Sequence, residues 1–104
     1  MSGKVHIIYW RDIPGQIKGK IGRKRISRPF SDRFMQVIDA ASMESGDTDT
    51  EVYLAQWRPG DSMEIEGDTE EFLDALVAKI EADYPGKRLS ELVKNGGWEK
   101  GNEG

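Results

Sequence analysis

Cysteine is absent from this chain of 104 residues, and histidine occurs once, at His6. Without thiols there is no disulfide framework, no thiolate nucleophile and no cysteine-held metal or iron–sulfur cluster. A single imidazole excludes a His-rich metal site within one chain. No apolar run approaches the roughly 18 residues of a membrane span. The apolar stretch Val5 to Trp10 is too short for a signal-peptide core and is followed by no small-residue cleavage site. The expectation left by these absences is a cytoplasmic protein with no membrane, no cofactor and no metal.

What remains suits a small globular unit. Hydrophobic residues make up 37% and charged residues 33%, with Trp 3, Tyr 3 and Phe 3. The aromatics argue against disorder, and a chain of this size buries roughly 65% of its unfolded surface. A single domain over residues 1–95 is expected, with residues 96–104 as a flexible C-terminal tail whose Trp98 is able to dock onto the domain.

The net charge of −4 hides a split. Residues 1–35 hold nine Lys and Arg against Asp12 and Asp32, whereas residues 36–104 hold six basic residues against seventeen acidic ones. The run Lys18, Lys20, Arg23, Lys24, Arg25 and Arg28 is either a phosphate-facing or acid-facing stripe, or a solvated hairpin beside the acidic half of its own chain.

Residues 4–11 read as a strand, β-branched and aromatic with no helical period. Strict alternation puts Val5, Ile7 and Tyr9 on one face and His6, Ile8 and Trp10 on the other. If the second face is uncovered, it is an apolar patch of the kind that marks a partner or homodimer surface. Asp12-Ile13-Pro14-Gly15 stops the strand. Residues 16–21 and 25–28 form a charged hairpin about Gly22-Arg23-Lys24, suited to a sheet edge; one long strand bent at Gly22 is the alternative. Residues 31–45 read as a helix capped by Ser31 and stopped by Gly46, with Phe34, Val37, Ile38 and Ala41 as its apolar stripe. Residues 50–57 are ambiguous: Thr50 suits a helix cap, but Val52, Tyr53, Leu54 and Trp57 favour a strand, which is the reading taken. Residues 69–84 form a second long helix with Phe72, Leu73, Leu76, Val77 and Ile80, and residues 88–94 a short third one. The order β-β-β-α-β-α-α predicts an α+β fold: a small antiparallel sheet of three to four strands, with two long helices and one short helix packed on one face.

Candidate chemistry is thin. His6 sits mid-strand among apolar neighbours and lacks the acid and nucleophile that general-base work needs. Arg11 beside Asp12 suits an anion clamp, and equally an ion pair with Asp12 or with the acidic half. Gly15, Gly19 and Gly22 do not have dinucleotide-fingerprint spacing. The acids from Asp61 to Glu71 do not fall at calcium-loop positions, and helix capping explains them. Tyr9, Trp10 and Phe30 interleave with the basic residues as a base-stacking surface would, or serve the core.

The residues Tyr9-Trp10-Arg11-Asp12-Ile13-Pro14 with Gln16, then Gly22-Arg23-Lys24, Arg33-Phe34, Ile38-Asp39-Ala40-Ala41 with Met43, Tyr53-Leu54 and Trp57 resemble the small bacterial domain family labelled "virulence factor". The resemblance covers residues 4 to 84, and its opening string is the most specific part. It implies a bacterial, cytoplasmic domain and brings no catalytic residues with it. The function expected is a non-enzymatic protein-interaction or accessory module with an unidentified protein partner. Its surface would be Trp10, Arg11, Asp12, Lys18, Lys20, Arg23, Lys24, Arg25 and Arg28. Nucleic-acid binding through the 18–28 hairpin is one alternative; a small ligand site or enzyme around Arg11, Asp12 and His6 is the other.

Overall fold

A computed structural model describes residues 3–46 and 49–99. The elements run β1 (Gly3–Trp10), β2 (Ile13–Ile21), β3 (Lys24–Pro29), α1 (Asp32–Ser45), α2 (Thr50–Ala55), β4 (Trp57–Pro59), β5 (Met63–Glu64), α3 (Thr69–Asp83) and α4 (Gly86–Lys94). The sheet order is β3-β2-β1-β4, with β5 also pairing β1, and every pairing is antiparallel. The α+β class and the positions of α1, α3 and α4 are as the periodicities predict.

The two-residue turn Gly22-Arg23 joins β2 to β3. Gly22 takes φ 57°, the left-handed conformation that the first central residue of a tight hairpin turn requires. This fixes two strands rather than one bent strand. Val5, Ile7 and Ile17 point inward and join Phe34 and Ile38 of α1, Leu73 and Ile80 of α3, and Leu89 and Leu92 of α4 in one buried cluster.

Three expectations are corrected. Residues 50–57 do not form a strand: they are helix α2 followed by the short β4. The Asp49 carboxylate accepts from the Glu51 backbone N–H at 2.9 Å, and this local cap outweighs the strand propensity of Val52 and Tyr53. Trp10 does not lie on an open apolar patch; it is completely buried. The ladder register shifts between Ile8 and Tyr9, passing over Gly15 of β2, and α2 and Gly97 close over the indole. The indole then donates to the Tyr53 carbonyl at 3.0 Å, with the two rings 5.6 Å apart. Gly15 itself leaves room for Trp57, whose Cζ3 would lie 2.6 Å from a Cβ there. Finally, the described part of the expected tail is docked: Gly96 and Gly97 are buried, and residues 100–104 lie outside the described residues. No helix among the described residues is long and apolar enough to cross a membrane.

Ser31 precedes α1, but its hydroxyl does not cap its own helix. It donates to Glu81 Oε1 of α3 at 3.0 Å, and its backbone N–H donates to Oε2 at 2.8 Å. Arg33 adds a charged bond to Glu81 Oε1 at 3.0 Å and reaches the Tyr84 carbonyl at 3.0 Å. Burial pushes the Glu81 carboxyl up, but the Ser31 and Arg33 contacts outweigh it and the group titrates below its ordinary value of 4.5. A carboxylate with a depressed pKa stabilises the fold above its unfolded value, and that contribution disappears as pH falls through the folded one. We therefore expect Glu81→Gln to be destabilised relative to the parent chain at pH 7, with the gap closing on acidification below about pH 4.5. Urea denaturation at pH 7 and pH 3 measures both differences; a gap that is constant with pH removes this role for Glu81.

Candidate functional site

Arg11 follows β1 with φ 55°, the one non-glycine residue with positive φ among the described residues. This conformation turns its side chain into the protein, where it is 5% exposed. Its guanidinium lies between two indoles, 4.7 Å from the Trp10 ring and 5.4 Å from the Trp98 ring. Nη1 donates to the Gly96 carbonyl at 2.7 Å, and Nε donates to Gln56 Oε1 at 3.3 Å. A buried cation is tolerable only with such partners.

The neighbouring backbone completes a clasp. The Arg11 N–H donates to the Gln56 carbonyl at 3.2 Å and the Asp12 N–H to the Gly97 carbonyl at 2.9 Å. The Asp12 carboxylate accepts from the Glu99 N–H at 2.8 Å and from Arg58 Nη2 at 3.0 Å. Gly97 adopts φ 98°, and a Cβ there would meet Trp10 Cζ3 at 2.8 Å. Only a glycine lets the C-terminal segment cross the indole so closely.

Trp10, Arg11 and Asp12 thus join the end of β1 to the segment after α4; Trp10 and Arg11 are buried there and Asp12 is half-buried. Gln56, Gly96, Gly97, Trp98 and Glu99 were not singled out as functional, since their partners lie far off in sequence. The available signal was a tryptophan directly after a Gly-Gly pair in an otherwise polar segment.

Beside the clasp lies a cleft of about 340 Å³ lined by Tyr9, Asp12, Arg58, Tyr84 and Glu99. Burial raises the Tyr84 phenol pKa, opposed by the Arg88 guanidinium stacked 4.0 Å over its ring. Within the cleft Asp12 pairs with Arg58 at 3.0 Å, Glu99 approaches Arg88 at 3.4 Å without a hydrogen bond to its buried Oε2, and Asp61 also lines the wall. His6 is not in this cleft: it lies in mid-β1 opposite Lys18. Among the described residues no cluster of His, Asp and Glu could hold a metal ion.

The basic run is divided by strand alternation. Residues directly opposite in an antiparallel pair share a face. Lys4, Lys20 and Arg25 form one such row, and His6, Lys18 and Ser27 the next. Lys4, Lys18, Lys20 and Arg25 are all exposed. Glu64 stands opposite Lys4 at the rim of this face. Lys24 and Arg28 lie on the other side, opposite Ile21 and Ile17, and Arg23 is in the turn. Arg28 is engaged by α3, bonding Glu70 at 2.5 Å and Asp74 at 2.6 Å. The expected surface is therefore two separate things, a clasp at one end of β1 and an open basic sheet face around the hairpin.

The family model described as "Virulence factor" matches residues 8–93. That span runs from the middle of β1 into the last turn of α4. No curated protein matches the chain, and no solved structure matches it.

The clasp generates a stability prediction. Arg11→Ala should lower unfolding free energy by about 3 kcal/mol, because it removes the stacked cation and leaves the Gly96 carbonyl without its donor. Arg11→Gly should be about 1 kcal/mol less damaging, because glycine adopts the left-handed backbone without strain. Urea midpoints of the two variants give the comparison; equal losses would mean that the backbone conformation carries no strain.

Proposed function

The chain belongs to the virulence factor family, and from that premise we propose that it is a non-enzymatic protein-interaction module. Its open sheet face captures an acidic surface of a partner protein. The observation that carries this reading is the row arrangement of Lys4, Lys18, Lys20 and Arg25 on one exposed face. None of the four has an ion-pair partner among the described residues, whereas Arg28, on the opposite side of the same hairpin, has two.

Charges left unpaired on one rigid face steer and orient an oppositely charged partner. Nucleic acid shares that chemistry, but single-strand binders add aromatic platforms for the bases. The rows Lys4–Lys20–Arg25, His6–Lys18–Ser27 and Ile8–Gln16–Pro29 carry no Phe, Tyr or Trp, and Glu64 lies opposite Lys4 at their rim. A reaction centred on Arg11 and Asp12 has lost its support, because every charged group of that pair is held in the clasp.

The test compares binding to immobilised poly-glutamate and to a single-stranded DNA 12-mer at low and moderate salt. We expect retention on poly-glutamate that salt weakens. The double variant Lys18→Glu, Lys20→Glu should bind at least about tenfold more weakly, with a melting temperature within about 4 °C of the parent. Retention unchanged in the variant rejects the face. Tighter capture of the DNA, lost in the same variant, transfers the surface to nucleic acid.

A further inference from the structure

The two edges of the sheet are unequal. On one side β4 and β5 are three and two residues long, too short to template another strand, and Pro59 sits in the ladder. On the other side β3 offers six residues, Lys24–Pro29, as the terminal strand. In a two-residue hairpin the flanking pair, here Ile21 and Lys24, is the one that faces its peptide groups across the ladder. Alternation then turns the N–H and C=O groups of Arg25 and Ser27 outward. Pro29 is in the same phase but has no N–H, and it ends the donor series.

A second feature lies along this edge. A hollow of about 270 Å³ is lined by Ile21, Lys24, Arg25, Ile26, Thr69 and Glu70, between β3 and the start of α3. Strand addition draws affinity from edge peptide groups and specificity from pockets that accept alternate side chains. Both parts are present here.

We infer that the β3 edge accepts an extended acidic segment of a partner protein as an added strand. This deepens the proposed function and rests on it. Residues of an added strand alternate between faces. Those on the open face meet Arg25, with Lys18 and Lys20 beyond, and are acidic. Those on the helix side enter the hollow beside Ile26 and are apolar. A second copy of this chain is the wrong occupant: pairing two β3 edges sets Lys24, Arg25 and Arg28 against their own kind, a like-charge juxtaposition that destabilises a sheet.

The experiment titrates the full isotope-labelled chain at low salt with a peptide of alternating glutamate and valine, read by amide NMR shifts and hydrogen exchange. A control peptide carries N-methyl groups on alternate residues, which keeps its charge and removes its ladder donors. Strand addition predicts slowed exchange at the Arg25 and Ser27 amides and at least about tenfold weaker binding of the control. If both peptides bind equally and shift residues around Lys4, Lys18 and Lys20, strand addition fails while the basic face stands. If neither peptide binds, both proposals fail. Slowed exchange at Arg25 and Ser27 that grows with protein concentration, without peptide, replaces the acidic segment by a second copy and overturns the inference.

Discussion

The fold depends on one desolvated cation. Arg11 is held between Trp10 and Trp98 and donates to the Gly96 carbonyl, a contact between positions 85 residues apart. Removing a guanidinium from water is costly, and contacts that compensate include two indole faces, a short charged hydrogen bond and the Gln56 side-chain oxygen. Each contribution requires a different part of the chain to be in place. Trp98 comes from beyond the last helix, Gln56 from the end of α2, and Trp10 from the first strand. An unmet guanidinium is expensive, so these segments order together or not at all. The Gly96-Gly97 pair follows from the same requirement, since both residues take positive φ to bring the chain back across the indole.

Away from the clasp, the pleat of the sheet does the sorting. Nine cations crowd the first 35 residues, and in sequence they look like one stripe. Period-two alternation sends Lys18, Lys20 and Arg25 to the open face and Lys24 and Arg28 to the other. There α3 meets Arg28 with Glu70 and Asp74. Acids of the second half of the chain therefore pair with Arg28 on one side of the hairpin and, among the described residues, leave Lys18, Lys20 and Arg25 unpaired on the other.

Much of this was legible in the residues. The strand at 3–10, the hairpin about Gly22, and the helices at 32–45 and 69–83 have periodicity, caps and breakers that agree with one another. Where the reading departed from the structure, a local signal competed with a distant one. At residues 50–55, strand-forming side chains concealed an Asp49 cap. At Trp10, α2 and the Gly97 crossing cover a face that the composition of β1 leaves open. For Arg11 the sequence leaves an anion clamp and an ion pair equally open, because its partners are 45 residues and more away. Ser31 shows the same limit in milder form: its place before α1 was legible, but its hydroxyl serves Glu81 on another helix. Spacing encodes neighbours along the chain, and these contacts are between segments that only folding brings together.

The cations differ by type as well as by place. Those stacked on aromatic rings are all arginines: Arg11, Arg33, Arg58 and Arg88. Arg28, fixed by two carboxylates, is another. Guanidinium is planar, weakly hydrated and able to bond in several directions, which suits fixed positions between rings and carbonyls. The open face is built mainly of lysine, with Lys4, Lys18 and Lys20 joined by Arg25. An ammonium on a flexible stem stays hydrated and keeps its freedom until an opposite charge arrives. Cations along β3 itself, Lys24, Arg25 and Arg28, disfavour pairing of that edge with a copy of itself. Under the proposed function, this deterrence and the attraction of an acidic partner follow from one arrangement of charge, which the arginines stacked on rings leave undisturbed.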